Sequence, residues 1–296
     1  MPTASTSTVT ISVAPPGRRA AVVRLLIPAD TTSGNTASTD LTWAGLFEAR
    51  RGDATVGAVW GRIRPGRTAE VIPPQLVDDE DDATADGLLT RLNQLFIAER
   101  VRVAYAYLAA HDQQTPQWLI RHGYRYVTEV LLLARPLDHF PSPAAQVVLT
   151  YAPCRPSERS RLCELLAATE EDSLDFPTLN RVLASEDLVA GYEATGDCGS
   201  RLWRIARHQQ RDVGCLLLAD HAQRRQVELL YLGLVPSARG RGWGRELVRV
   251  ALQLAQELRR EQVVLAVDAN NDPAIATYSA ESFVVCDRKR VWLRTF

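Results

Sequence analysis

Glycines alternate with arginines and a tryptophan in the segment Arg239-Gly240-Arg241-Gly242-Trp243-Gly244. An apolar strand stops just before it at Pro236, and apolar residues at helical spacing predict an amphipathic helix from about Gly242 to Arg260. The first N–H groups of a helix have no intrahelical acceptor, and glycines leave them unshielded. Because the positive end of the helix dipole lies there too, the segment predicts a diphosphate site. An ordinary glycine-rich turn with solvated arginines is the alternative.

Two other phosphate-binding motifs compete for the same glycines and do not fit. The dinucleotide fingerprint G-x-G-x-x-G follows the first strand of its unit, whereas Gly240, Gly242 and Gly244 form G-x-G-x-G after a late strand. A P-loop requires the tripeptide G-K-[ST], which the sequence lacks. The pattern therefore indicates diphosphate binding outside both of these motifs.

The elements around this segment occur twice along the chain. The segments that begin at Val9 and Val147 each read as a short alternating strand, a proline-containing turn and a helix. The segments Tyr105–Pro136 and Leu265–Phe296 each read as strand, polar turn, short helix and strand. His111 pairs with Asn270 and Tyr124 with Phe283, both at an offset of 159 residues. A duplication is the simplest explanation, and two unrelated α/β units are the alternative.

A proline-rich stretch, Ala134–Gln146, separates the two copies and predicts domains at 1–138 and 146–296. In each, antiparallel strands followed by strand, helix and strand predict a mixed α/β fold, a largely antiparallel sheet flanked by helices. The copies differ after their first helix. The first has a Ser/Thr-rich loop at Thr31–Asp40, where the second has helical sequence from Asp175 to Tyr192.

Composition excludes several classes of protein. The chain of 296 residues is 46% hydrophobic with a net charge of −1, which excludes a disordered chain and argues against a general nucleic-acid binder. Its five cysteines have no C-x-x-C spacing, so we expect no metal site and a reducing cytoplasm. We expect no membrane partner, because no apolar run approaches the roughly 20 residues that span a bilayer. The oligomeric state stays open.

Three motifs in order resemble the GNAT-type N-acetyltransferase superfamily. The segment Arg239–Gly244 fits R/Q-x-x-G-x-G/A, and Leu-Gly-Leu-Val-Pro precedes it. Asn271, Ala274, Tyr278 and Phe283 fit N-x-x-A-x-x-x-Y-x-x-x-G-F, with Ser282 at the usual glycine. The resemblance covers the second half of the chain, and it implies a GNAT-like fold in two copies.

This resemblance implies acetyl-coenzyme A as co-substrate. Its diphosphate is expected on the backbone from Arg239 to Gly244, together with Arg245. Leu234 and Val235 are expected beside the thioester, where a backbone N–H would stabilise the oxyanion of the tetrahedral intermediate. Asn271 is expected to orient the cofactor or to cap the short helix. The expected cofactor-binding residues are Leu234, Val235, Arg239, Gly240, Arg241, Gly242, Trp243, Gly244, Arg245 and Asn271.

The resemblance also implies direct attack by a primary amine of a small molecule or peptide. Tyr278 matches the tyrosine that protonates the departing thiolate, and a packing role is its alternative. Glu228 is our candidate general base, acting through water. It lies six residues before Leu234, so alternation along a strand predicts that the two share a face of the sheet. An exposed strand glutamate is the alternative.

Four acids follow the first helix of the second half: Glu170, Glu171, Asp172 and Asp175. They form either an anionic collar for a cationic amine or a solvated helix end.

The first half lacks the residues that the resemblance requires. The counterpart of the arginine and glycine segment is Asp79–Ala85, whose carboxylates repel phosphate. The counterpart of Tyr278 is Leu119, which has no proton to donate. We therefore expect a degenerate, non-catalytic copy that shapes the acceptor site. Two alternatives stay open for the whole chain: a sensor or scaffold that binds acyl-coenzyme A without turnover, and a tandem synthase that makes a small thiol from a sugar amine.

Overall fold

The computed structural model describes residues 8–27, 43–138, 148–177, 182–197 and 199–296. The loop predicted at Thr31–Asp40, the centre of the predicted linker and Cys198 lie outside the described residues. Within them, no helix combines the length and the apolar character needed to cross a bilayer. Contacts divide the chain into two units: Met1–Val127 with Val291–Phe296, and Thr128–Arg290. The bounds of the two predicted domains, 1–138 and 146–296, remain a prediction.

The first unit is built on a mixed sheet. Its elements are β1 (Val9–Val13), α1 (Arg19–Leu26), β2 (Leu46–Arg51), β3 (Ala54–Arg64), β4 (Thr68–Leu76), α2 (Asp82–Ala98), β5 (Val103–Leu108), α3 (Thr115–Arg121) and the start of β6 (Arg125–Pro136). Strands β1 to β4 pair antiparallel in chain order, and β4 pairs with β5 in parallel. The C-terminal residues of the chain complete this unit, because the Phe296 N–H donates to the Arg102 carbonyl at 3.0 Å.

The second unit repeats this order. Its elements after β6 are β7 (Thr150–Pro153), α4 (Arg159–Glu170), α5 (Ser185–Glu193), β8 (Arg204–His208), β9 (Arg211–His221), β10 (Gln226–Leu234), α6 (Trp243–Glu257), β11 (Gln262–Asp268), α7 (Asp272–Ala280) and β12 (Val284–Thr295), which ends in the first unit. Its sheet runs β6-β11-β10-β9-β8-β7, with β10 and β11 parallel and the other pairs antiparallel. The predicted mixed α/β fold is confirmed.

Helix α6 forms because its apolar residues fall on one side. Leu247, Val248, Ala251, Leu252 and Ala255 are buried, whereas Gln253 and Gln256 are exposed. The helix ends at Glu257, three residues before the predicted end, because Arg259 adopts the left-handed conformation with φ 55°. This helix packs on β9, β10 and β11, and so it holds the glycine segment at its start against the sheet.

Strands β10 and β11 separate part of the way along. Their parallel register runs from the pair Gln226 and Gln262 to the pair Leu229 and Leu265, although β10 continues to Leu234. A β-bulge in β10 coincides with the separation, since Leu229 lies opposite Leu218 and Tyr231 lies opposite Leu217. The bulge and the end of the ladder open a gap in the parallel part of the sheet.

The bulge overturns one geometric prediction. One extra residue reverses the alternation of side chains. Glu228 therefore shares a face with Tyr231 and Gly233, the face covered by α4, and not with Leu234. The predicted shared face of Glu228 and Leu234 is wrong, because period-two alternation holds only in an uninterrupted strand.

Removing the Leu252 side chain tests the packing of α6. Leu252 is fully buried in the core of the second unit, so we expect Leu252→Ala to lower the free energy of unfolding by about 2–5 kcal/mol. Gln253→Ala, on the exposed side of the same turn, is the matched control and should change it by less than about 0.5 kcal/mol. Urea denaturation followed by circular dichroism measures both. Equal losses in the two variants would contradict this packing.

Candidate active site

A cleft of about 600 Å³ opens where β10 and β11 separate. The end of α4 and the segment after it, β10, the glycine segment, β11 and α7 all contribute to its walls. Nine of the twelve predicted catalytic and cofactor-binding residues line it: Leu234, Arg239, Gly240, Gly242, Trp243, Gly244, Arg245, Asn271 and Tyr278. Val235, Arg241 and Glu228 are not among its lining residues.

The glycine segment leaves its N–H groups open. From Gly240 to Gly244, no backbone N–H donates a hydrogen bond to any acceptor in the part of the chain that the structure describes. Gly240 and Gly242 have φ of 73° and 77°, which a side chain rarely tolerates, and an added Cβ at either would meet nothing within 4 Å. The glycines are therefore required by backbone conformation, and no protein acceptor among the described residues competes with an anion for these N–H groups.

The arginines near this segment have partners within the protein. Arg245 donates to the buried carboxylate of Glu281, and Arg249 Nε donates to the same oxygen at 2.9 Å. The Arg241 guanidinium lies 5.2 Å from the ring centroid of Trp243. Arg239 donates four hydrogen bonds, all of them to backbone carbonyls. The backbone N–H groups therefore carry the anion site more directly than these side chains do.

Of the two residues expected beside the thioester, only Leu234 directs its N–H into the gap. The Val235 N–H donates to the Val213 carbonyl at 3.0 Å, within the sheet. Backbone groups in an antiparallel pair alternate between the two edges of a strand, so the N–H of Leu234 points the other way, toward the separated strand. Val235 therefore has no free N–H for the predicted oxyanion.

Tyr278 is buried in the wall of the cleft, with 7% of its surface exposed and its ring 5.7 Å from that of Phe283. Burial raises the pKa of Tyr278 above its usual value, and the negative charge of Asp175 raises it further. The phenol is therefore protonated near neutral pH and can act as an acid. Asn271 caps α7, because its side chain accepts from the Ala274 N–H at 3.3 Å. Ser282 has φ 65°, which explains the glycine usual at this position of the family motif.

Two acids of the proposed collar, Asp172 and Asp175, line the cleft, whereas Glu170 and Glu171 do not. Asp175 accepts from the Asp268 N–H at 3.3 Å. Burial, and to a smaller extent the charge of Asp268, raise the pKa of Asp175 to about 6. Burial also raises the pKa of Glu170 to about 7. The acidic segment is thus part of a wall and not simply a solvated helix end.

Glu228 lies outside the cleft lining and contacts a histidine. Its Oε2 is 2.7 Å from Nε2 of His221, a buried side chain at the end of β9. On the same face, the Tyr231 hydroxyl is 2.9 Å from Oγ1 of Thr169. From the sequence alone, His221 is set aside as a lone histidine near a strand end, because the strand pairing that brings it to Glu228 is not visible in a local pattern.

The first unit carries carboxylates where the second has open N–H groups. At the start of α2, the Asp81 side chain accepts from the Ala83 N–H at 2.9 Å. Glu80 accepts from the Thr84 hydroxyl and from Arg51 at 2.7 and 2.8 Å, and the Thr84 hydrogen bond lowers the pKa of Glu80 most. The protein's own anions therefore occupy this helix start. Leu119, the counterpart of Tyr278, is fully buried in the core of the first unit.

The separated parallel strands beside a glycine-rich helix start agree with the GNAT-like fold that the motif resemblance implies. Residues 165–282 match the family model described as the acetyltransferase (GNAT) family. This match agrees with the motif resemblance, and it covers less than half of the chain.

Curated relatives and a solved structure extend this likeness. One stretch of 68 residues is 35% identical to the mycothiol acetyltransferase of Corynebacterium aurimucosum and spans 23% of this chain and only 22% of that relative. The mycothiol acetyltransferase of Jonesia denitrificans is 24% identical over 247 residues, 82% of this chain and 77% of the relative. A GCN5-related N-acetyltransferase structure from Sphaerobacter thermophilus has a TM-score of 0.67 at 17% identity, covering 97% of this chain and 95% of that one. The structural likeness shows the shared fold.

The raised pKa of Asp175 has a consequence for stability. The folded value of about 6 lies above the ordinary 3.8, so the folded state disfavours the carboxylate and loses stability as pH rises from 4 to 6. An asparagine side chain at this position would not titrate, and it would still offer an oxygen to the Asp268 N–H. We expect Asp175→Asn to raise the free energy of unfolding at pH 8 by about 2 kcal/mol.

Urea denaturation at pH 4 and pH 8 measures this difference, which should shrink toward zero at pH 4. Asp53→Asn, at an exposed position of the first unit, is the control. A destabilised Asp175→Asn protein at pH 8 would contradict the predicted cost of the charge.

Proposed function

We propose that this protein is an N-acetyltransferase that moves an acetyl group from acetyl-coenzyme A to a primary amine. The observation that carries the proposal is one cleft lined by both the open N–H groups of Gly240–Gly244 and the buried Tyr278. These N–H groups have no acceptor among the described residues, as a diphosphate site requires, and the match of residues 165–282 to the GNAT family model supports the same co-substrate.

In the proposed reaction, the N–H groups of Gly240–Gly244 hold the diphosphate, and the free edge of β10 near Leu234 receives the thioester arm. The amine lone pair attacks the thioester carbonyl carbon, and the oxyanion forms within reach of the Leu234 N–H. Collapse of the intermediate breaks the C–S bond, and the thiolate takes the Tyr278 proton. Before the attack, Glu228, paired with His221, takes one proton of the ammonium through water and frees the lone pair. The second proton leaves the nitrogen as the amide forms and restores the Tyr278 phenol.

The acceptor is a primary amine that arrives as an ammonium, since Asp172 and Asp175 lie in the cleft wall. Because two relatives are named mycothiol acetyltransferase, amines that carry a thiol belong among the test amines. We place the activity in the cytoplasm, where reducing conditions keep the four described cysteines as free thiols. The first unit takes no part in the chemistry in this proposal.

Replacing Tyr278 by phenylalanine tests the acid. Release of free thiol from acetyl-coenzyme A with a panel of amines, including amino sugars and peptides, measures turnover. We expect Tyr278→Phe to lower kcat at least 100-fold, because the leaving thiolate loses its proton donor, with coenzyme A binding within threefold of wild type. Tyr126→Phe, at a half-exposed position in the first unit, is the control. Unchanged kcat in Tyr278→Phe would remove the acid role, and tight binding without thiol release for any amine would favour a sensor.

Calorimetric titration with coenzyme A tests the glycine segment. We expect one molecule per chain, because carboxylates occupy the helix start in the first unit. Gly242→Ala should weaken binding about tenfold or more, since a side chain in the left-handed region costs about 1–2 kcal/mol. Gly244→Ala is the matched control and should stay within threefold, because its Cβ would meet only Thr277 Cγ2, at 3.9 Å. Two molecules per chain, or equal effects of the two substitutions, would contradict the proposed site.

A further inference from the structure

Arg239 is the first residue of the glycine motif, yet its side chain donates hydrogen bonds to backbone carbonyls of the protein itself. Nε donates to the Leu234 carbonyl at 3.1 Å, and Nη1 donates to the Asp172 carbonyl at 3.1 Å. Nη2 donates to the carbonyls of Thr169 and Glu171 at 3.0 and 2.6 Å. A guanidinium has five N–H donors, so these contacts take up four of them.

Three of these acceptors lie at or just beyond the C-terminus of α4. The last carbonyls of a helix have no intrahelical donor, and the helix dipole is negative there. The cation of Arg239 therefore satisfies a helix end and joins it to the end of β10. A role as phosphate ligand would need donors that face the glycine segment instead.

Two further contacts fix the same helix end against β10. Thr169 Oγ1 and the Tyr231 hydroxyl are 2.9 Å apart. Gly233 lies so close to α4 that an added Cβ would meet Thr169 Cβ at 2.8 Å. The end of α4 is thus pressed onto the strand that receives the thioester arm in the proposed reaction.

The segment that leaves this helix end is Glu171–Asp175, and its last four residues line the cleft. Asp172 has φ 52°, an unfavourable conformation for a side chain, and its carbonyl is one of those that Arg239 binds. Asp175, at the other end, accepts from the Asp268 N–H beside the cap of α7. The wall therefore runs from the start of the glycine segment toward the helix that carries Tyr278.

We propose that Arg239 is a positioning residue that clamps Glu171–Asp175 as the acceptor-side wall and contributes little to diphosphate affinity. This inference rests on the proposed function, which identifies the ligand on this side of the cleft as the acceptor amine. The clamp places the carboxylates of Asp172 and Asp175 where the amine must enter. Loss of the clamp releases the wall, so the acceptor binds more weakly while the open N–H groups of Gly240–Gly244 still bind coenzyme A.

Hydrogen exchange and calorimetry on the full chain test the clamp. In Arg239→Ala we expect amide exchange of Glu171–Asp175 to rise at least tenfold, exchange in β11 to stay unchanged, and the coenzyme A Kd to stay within threefold. Arg239→Gln keeps two N–H donors without the charge, and should restore part of the protection. Arg241→Lys is the matched control, since the Arg241 side chain lies over Trp243, and it should leave exchange in Glu171–Asp175 unchanged.

With the best amine from the thiol-release panel, the acceptor KM should rise at least tenfold in Arg239→Ala while the acetyl-coenzyme A KM stays within threefold. A phosphate ligand predicts the opposite: coenzyme A binding weakened tenfold or more in Arg239→Gln, restored by Arg239→Lys, with unchanged exchange in Glu171–Asp175. That result would overturn the clamp. Failure of the proposed function is separate, because it would appear as no coenzyme A binding by the wild-type protein, whereas the exchange measurement needs no ligand.

Discussion

The open N–H groups at the start of α6 are the constraint on which the rest of the second unit depends. A folded chain pairs nearly all of its backbone donors with protein, water or ligand. Here no acceptor in the described residues meets the N–H groups of Gly240–Gly244, and two of these glycines adopt a conformation that few other residues tolerate. Such a helix start does not stabilise the folded state by itself, but it favours the binding of an anion. The apolar face of α6 holds it in place against the sheet.

Strand β10 has two structural roles that exclude each other at any one position: pairing with β11 and exposing a free edge. Over Gln226–Leu229 it pairs with β11 and closes the core, and beyond that point it must leave β11 to expose its edge. The bulge near Leu230 allows both, and it also turns Glu228 toward the face covered by α4. The same irregularity therefore separates two proposed roles. The Leu234 N–H points to the strand edge where we propose the thioester arm, and Glu228 lies on the opposite face, where we propose the acceptor.

Local patterns in the sequence were sufficient for the glycine segment, α6, the repeated element order and the cap at Asn271, because each depends on neighbours within a turn or a strand. Contacts between distant residues were not predictable. The bulge reversed the face of Glu228, the pairing of Arg245 with Glu281 depends on the packing of α6 beside α7, and the four carbonyls bound by Arg239 come from two other elements. Arginine at the start of a phosphate motif looks like a ligand until its acceptors are known.

A crystal structure with bound acetyl-coenzyme A tests the central claim most directly. The account predicts diphosphate oxygens within hydrogen-bond distance of the amide nitrogens of Gly240–Gly244, the thioester beside Leu234, and its sulfur within reach of the Tyr278 hydroxyl. Density for the diphosphate at any other place, including the helix start at Asp79–Ala85 in the first unit, would contradict it. So would a glycine segment whose amides face only solvent in crystals that hold the ligand elsewhere.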